Sequence, residues 1–189
     1  MIEKGENQPG MTPAHTIYIG TLPASPMGRL WLAASENGLV AIEWELPQDV
    51  FIARLKKNFH AEVIFDELRL EAARQQLGEY FEGQRTEFTI ALDLSRLHSF
   101  QVQVLRLTLE IPYGQTSTYK ALAARMNQPH AARAVGRAEA TNPIPLVIPC
   151  HRVLGSDGSL HGYGGPGGVK MKAWLLELEQ GQAVNPPKW

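Results

Sequence analysis

Apolar positions in the first half of the chain recur in short runs, not in long helical stripes. Residues 15–19, 30–34 and 39–44 read as strands. S-E-N-G at 35–38 separates the last two, and its Asn-Gly pair favours a tight hairpin turn. Pro47 then opens a helix to about Phe59, with Val50, Phe51, Leu55 and Phe59 at helical spacing. A further strand is predicted at 62–65. A second helix follows at 68–81, carrying Leu70, Ala73, Leu77 and Phe81 on one side and stopped by Glu82-Gly83. A last short strand is predicted at 88–92. These elements make a small α/β domain over residues 1–94. Nothing in it reads as catalytic, since His15 and His60 are isolated.

After a linker at 92–98 the pattern becomes helical. Val104, Leu105 and Leu109 share one face of a helix at 100–109, which I-P-Y-G at 111–114 breaks. Thr118 stands where a helix N-cap belongs, ahead of a helix at 119–126 anchored by Leu122. N-Q-P at 127–129 forms a turn, and Pro129 suits the start of a helix running to 140. Two short helices across a small turn read as helix-turn-helix. Asn142-Pro143 ends the pair, and an apolar, proline-bounded strand is predicted at 144–148. A glycine-rich loop at 161–168 precedes a closing helix at 169–178 that carries Trp174, Leu175 and Leu178. The leader through residue 14 and the tail from Gly181 read as loose.

Composition alters this picture little. Hydrophobic residues at 44% and charged residues at 20% describe a globular chain of 189 residues. A single cysteine excludes an internal disulfide framework and any zinc site needing two thiolates. With no signal-peptide layout and no apolar run of membrane-spanning length, a cytoplasmic protein is expected. Charge alters the picture more. The net charge of -1 conceals 8 Lys and Arg against 14 Asp and Glu in residues 1–94, and 10 against 5 in residues 95–189. A basic second half suits a polyanion.

The candidate chemistry lies there. The helix expected at 130–140 is built from Ala131, Ala132, Ala134, Gly136, Ala138 and Ala140, with Arg133 and Arg137 one turn apart. Such a helix can approach a nucleic acid closely while its arginines reach phosphates or bases; it can equally be packed in the core with solvated arginines. I-P-C-H-R-V at 148–153 holds the one cysteine, Cys150. A lone cysteine is most often a small buried hydrophobe. To react at neutral pH it must ionise, which costs about 2 kcal/mol from an ordinary thiol. His151 is the nearest base, but adjacent residues tend to point apart, so a relay fits better than a direct pair. Glu177 or Glu179 on the last helix would orient that histidine.

These motifs, with I-P-Y-G-Q-T-S-T-Y at 111–119, A-A-R-A-V-G at 131–136, N-P-I-P at 142–145 and W-L-L-E-L-E at 174–179, resemble the O6-alkylguanine-DNA alkyltransferases. That family is also called the methylated-DNA–protein-cysteine methyltransferases. The resemblance covers 100–179 by motif and the first half only by its order of elements. It implies a ribonuclease H-like α/β domain at 1–94 and a mostly α winged-helix, helix-turn-helix domain at 95–189. It implies direct damage reversal: one irreversible transfer of the alkyl group of O6-alkylguanine, and of O4-alkylthymine, to Cys150, with no cofactor and no metal. His151 would be the base through a water, Glu179 would complete the relay, and Asn142 would brace the turn. Tyr119, Arg133, Ala132, Gly136 and Arg137 would meet double-stranded DNA through its minor groove, Arg133 filling the space of the flipped base. Tyr119, Pro145, Tyr163 and Gly164 would line the base pocket of a monomeric protein. Three positions depart from the family pattern. Arg137 replaces a small residue, Glu139 an apolar one and Gly164 a serine, in a loop two residues longer than usual. A lesion sensor without transfer, or a winged-helix regulator with a redox cysteine, would be the alternative readings.

Overall fold

A computed structural model describes residues 15–44, 46–182 and 185–187. The leader through residue 14 lies outside the described residues, as do several positions of the tail. β1 (Thr16–Leu22), β2 (Leu30–Ser35) and β3 (Gly38–Trp44) form an antiparallel meander. After helix α1 (Gln48–Phe59), β4 (Glu62–Phe65) pairs parallel with β1, giving the order β3-β2-β1-β4.

Strand β2 is covered on both faces, as its unbroken apolar run requires. Trp31 and Ala33 join Ile17, Ile19 and Val40 beneath Phe51 and Leu55 of α1. Val50, expected on that face, is more than a third exposed. On the opposite face Leu30, Leu32, Leu39 and Ile42 pack against Ala73, Leu77 and Tyr80 of α2 (Glu71–Phe81). The same cluster includes Leu105 of α3 (Ser99–Leu109), the apolar residues of 144–148, and Met171, Trp174 and Leu175 of α6 (Val169–Glu179). The two halves therefore share one core. A backbone bond also joins them, from the Ile42 N–H to the Pro143 carbonyl at 2.9 Å.

In the second half α3, α4 (Tyr119–Arg125) and α5 (Ala132–Ala140) enclose Val104, Leu122, Ala123, Val135 and Ala138. Thr118 caps α4, its hydroxyl accepting from the Ala121 N–H at 3.0 Å, as expected. β5 (Ser117–Thr118) pairs parallel with β6 (Val153–Leu154), which ties the start of α4 to the chain just after Cys150.

Four predicted elements differ. The second helix begins as a 3-10 turn at Leu68–Leu70, where the Asp66 carboxylate accepts from the Leu68 and Arg69 N–H groups, and becomes α-helical only at Glu71. Segment 88–92 is not a strand. It touches β3 at a single bridge between Leu39 and Leu92, beside Gly38, where a Cβ would lie 2.4 Å from the Ala91 carbonyl oxygen. Its Thr89 N–H goes instead to the Gln76 side chain at 2.9 Å, so α2 meets the hydrogen-bonding demand that a sheet would have met. Helix α5 starts at Ala132, not Pro129, because the Ala131 N–H closes a turn onto the Gln128 carbonyl at 2.8 Å. Segment 144–148 is a tight turn, closed from Ile148 N–H to Ile144 carbonyl at 2.9 Å. Pro143, Pro145 and Pro149 remove the donors a strand would need.

Because the core is common to both halves, truncating a residue at its centre should weaken both together. Leu77→Ala, at a fully buried position, is expected to cost about 2–5 kcal/mol. Urea unfolding followed by tryptophan fluorescence and by far-UV circular dichroism should move to lower midpoint in one coincident transition.

Candidate active site

The turn at 144–148 carries Cys150 to the floor of a cavity. Leu146 has a φ of 74°, a left-handed conformation that a branched residue holds only when its surroundings impose it. Asn142 does so. Its Nδ2 donates to the Ile148 carbonyl at 2.9 Å, and its Oδ1 accepts from the Ile144 N–H at 3.0 Å, so one side chain clamps both ends of the turn. Cys150 then opens a 3-10 turn, Cys150–Arg152, with its sulfur almost wholly buried.

Above it lies a cavity of about 640 Å³. Tyr119 of α4, Ala132, Arg133, Gly136 and Glu139 of α5, and Tyr163 and Gly164 of the glycine-rich loop face it together with Cys150. A Cβ on Gly136 would meet the Tyr119 ring at 3.7 Å, an ordinary contact. The fold itself therefore tolerates alanine there, so the glycine at 136 is not dictated by internal packing alone. Tyr163 stacks on Trp44 of β3 at 6.4 Å, so the first half holds the loop in place. Two expected residues are not on the cavity wall. Pro145 is buried within the turn, whose bend from Ile144 to Ile148 replaces the strand that would have presented it to the cavity. Arg137 lies on the exposed flank of α5, over a second groove with His98, Phe100 and Gln101 that Arg133 also borders.

Behind the cysteine is a buried polar cluster around Glu179. Its Oε1 accepts from the Tyr80 hydroxyl at 2.8 Å, from His151 Nε2 at 2.7 Å and from the Arg152 guanidinium at 3.0 Å. Its Oε2 accepts from Arg152 Nε at 2.8 Å and from the Gly114 N–H at 3.0 Å. Gly114 must be glycine for this, since its φ is 73° and a Cβ would press to 3.1 Å on the Glu179 carbonyl oxygen. Of the two carboxylates open as partners for His151, Glu177 is exposed and Glu179 is the one in contact.

This network assigns the histidine's protons. With Nε2–H donating to Glu179, Nδ1 is the nitrogen left with a lone pair, and it has no partner in the protein. Burial lowers the His151 pKa, opposed by Glu179, so the ring is neutral at physiological pH. Burial by itself would raise Glu179, but His151 and Arg152 outweigh it and hold the carboxyl at about 2. Since the histidine is neutral, Arg152 is the permanent cation of the cluster. Cys150 is pushed up to about 12 by burial and by the Glu139 carboxyl, with Asn142 and Lys172 pulling the other way. It rests as a thiol.

Tyr80, Arg152 and Lys172 were not singled out from the sequence. Arg152 lies inside I-P-C-H-R-V and had that signal. Tyr80 had none, because an α2 residue in a domain without catalytic motifs reads as core. Its hydroxyl nonetheless sits 3.4 Å from His151 Nε2. Lys172 is buried on the apolar side of α6, its ammonium donating to the Val153 carbonyl at 2.7 Å. Among the described residues no three His, Cys, Asp or Glu side chains gather as metal ligands, and no helix is long and apolar enough to cross a membrane.

Comparison with known proteins assigns the family. The 6-O-methylguanine DNA methyltransferase, ribonuclease-like domain matches residues 17–94, and the 6-O-methylguanine DNA methyltransferase, DNA binding domain matches residues 99–181. The methylated-DNA–protein-cysteine methyltransferase of Methanosarcina barkeri is 39% identical over 156 residues, 82% of this chain and 93% of that protein. The chain belongs to the 6-O-methylguanine DNA methyltransferase family. It accordingly combines an N-terminal ribonuclease-like domain with a C-terminal DNA-binding domain. The methylated-DNA–protein-cysteine methyltransferase of Mycobacterium tuberculosis is 50% identical over 111 residues, 59% of this chain and 66% of that protein. The match thus spans just under two-thirds of that relative's length. The crystal structure of Mycobacterium tuberculosis OGT in complex with DNA superposes with a TM-score of 0.73 at 38% identity, over 89% of this chain and 94% of that one.

The Glu179 cluster sets a pH dependence of stability. The folded pKa is depressed, so the contribution is complete above the unfolded value near 4.5 and is lost as pH falls toward about 2. Its size is on the order of 3 kcal/mol. Glu179→Gln, which also leaves Arg152 buried without its counter-ion, should destabilise the protein at pH 7 by about 3–5 kcal/mol. The gap between variant and wild type should narrow as urea titrations are taken from pH 5 to pH 2.

Proposed function

We propose that this protein reverses DNA alkylation by transferring the alkyl group of O6-alkylguanine, and of O4-alkylthymine, irreversibly to Cys150. The observation that carries the reading is the convergence of Cys150, Tyr119 and Arg133 on one cavity, with the His151–Glu179–Arg152 cluster behind the sulfur. A base alkylated at O6 is out of reach inside a duplex, so it must be extruded, at a cost of roughly a few kcal/mol. Helix α5, the second of a winged helix-turn-helix over residues 95–189, approaches the minor groove through Ala132 and Gly136. Arg133 fills the space of the lost base, and Arg137 on the flank meets a phosphate. Tyr119, Tyr163 and Gly164 form the pocket, and Pro145 supports its floor from beneath.

A thiol held near 12 costs on the order of 7 kcal/mol to ionise at pH 7. In the resting state it is therefore protected against adventitious alkylation. His151, through the free lone pair of Nδ1 and a bridging water, takes the thiol proton. Glu179 compensates the charge that appears on the ring, while Asn142 keeps the sulfur aimed at the cavity. The thiolate attacks the alkyl carbon in line. A sulfur–carbon bond forms, the carbon–O6 bond breaks with its electron pair left on guanine, and Tyr119 returns one proton to the base. A thioether is a poor leaving group, so each molecule acts once. No cofactor takes part. We read the protein as a cytoplasmic monomer whose ribonuclease H-like N-terminal domain, residues 1–94, supports the site through Tyr80 and Trp44.

Incubation with a duplex containing O6-methylguanine should methylate the Cys150 peptide stoichiometrically, as read by mass spectrometry. An unmodified peptide with the lesion still bound would point to a sensor and sink the proposal. Cys150→Ala should bind the lesion duplex and transfer nothing, whereas Arg133→Ala should slow transfer roughly tenfold while leaving the cysteine competent.

A further inference from the structure

Glu139 has no part in the steps above, yet its carboxyl is buried on the wall of the cavity that holds Cys150. Its Oε2 has no partner in the protein, and its Oε1 lies 2.5 Å from the Thr108 hydroxyl of α3. That hydroxyl is also 3.0 Å from the Val104 carbonyl. Thr108 has one hydrogen to give, so both contacts are hydrogen bonds only when Glu139 is the donor, that is, when it is protonated.

The charges around it are few. Lys172 of α6 supplies the one buried ammonium close to both acids, and Tyr119 of α4 and Cys150 are the other titratable groups facing Glu139. Lys120 and His161 are exposed at the rim, as is Arg133 on α5 itself. One buried cation balances one buried anion, and a second anion would be uncompensated in a low-dielectric site. We propose that Glu139 controls the charge of the acceptor sulfur: the pocket holds a single negative charge, on either Glu139 or Cys150, and alkyl transfer proceeds only from the form in which Glu139 carries the proton. Glu139 acts through the sulfur and not on the substrate, so it is a positioning residue for charge. The proposal rests on the alkyl-transfer reading.

The consequence is a distinctive pH profile. Burial raises Glu139 to about 7, opposed by Lys172. Below that value Glu139 is protonated and the thiolate population grows tenfold per pH unit. Above it the pocket already carries its one charge. The thiolate, its proton passed on through His151, then appears only as Glu139 takes up a proton in exchange, so its population no longer depends on pH and the rate levels off. Glu139→Gln keeps the shape and removes the competing acid, so its rate should continue to climb.

Single-turnover transfer from an O6-methylguanine duplex should therefore coincide for wild type and Glu139→Gln below about pH 6.5. Near pH 8.5 the variant should be faster by roughly 30-fold, the factor for 1.5 units at tenfold per unit. Parallel profiles with no divergence would falsify the proposal while leaving alkyl transfer intact. Absence of transfer from both proteins at every pH would overturn the functional reading and this proposal with it. A second measurement needs no DNA. Cys150 is the only cysteine in the chain, so the rate of alkylation by iodoacetamide reports its thiolate directly. It should show the same plateau in wild type and the same continued rise in Glu139→Gln, and identical profiles there would equally overturn the assignment.

Discussion

The carboxylate of Glu179 is the point on which the rest of the site depends. Five hydrogen bonds converge on it, from α2, from the turn before β5, and from two consecutive residues after Cys150, while the carboxylate itself ends α6. A buried carboxylate without partners would cost several kcal/mol and would simply protonate. Here the bidentate guanidinium of Arg152 holds it ionised, and Arg152 in turn is fastened to the Ile111 carbonyl at 2.6 Å. Each donor arrives from a segment that is anchored elsewhere. The carboxylate thus fixes the tautomer of His151 and, through the backbone of the 3-10 turn, the position of the cysteine sulfur.

Tyr80 gives the N-terminal half a place in this arrangement. The ribonuclease-like domain contributes no motif of its own, but the second face of its sheet and α2 form one core with α3 and α6. That core delivers a phenol to the Glu179 cluster and a tryptophan, Trp44, to the loop beside the cavity. Among its described residues the first half lines none of the cavity but supports it from behind.

The cavity side is built on the opposite principle. Behind Cys150 every charge is matched; in front of it, Glu139 and the hydroxyl of Tyr163 are buried with unused hydrogen-bonding capacity. Unmet polar groups are costly in a resting protein and are kept where a ligand can use or relieve them. Burial and Glu139 together hold the sulfur as a thiol, against the pull of Asn142 and Lys172.

Much of this was legible in the chain itself. The Asn-Gly hairpin, the helix behind Pro47, the Thr118 cap and the helix-turn-helix with its two arginines follow from local rules of spacing and backbone conformation. The motif I-P-C-H-R-V marked the cysteine, and the closing helix marked two possible carboxylates. What local rules could not decide is what burial decides. Prolines and the Asn142 clamp turned an apolar run into a bend, because neighbours satisfied its backbone better than a sheet would. Glu179 was separated from Glu177, Tyr80 was brought to the Glu179 cluster, and Pro145 and Arg137 were drawn off the cavity wall. In each case the reason is the same. Whether a polar group is active, paired or merely solvated depends on which other elements exclude water from it, and that is a property of packing between distant segments, not of any one of them.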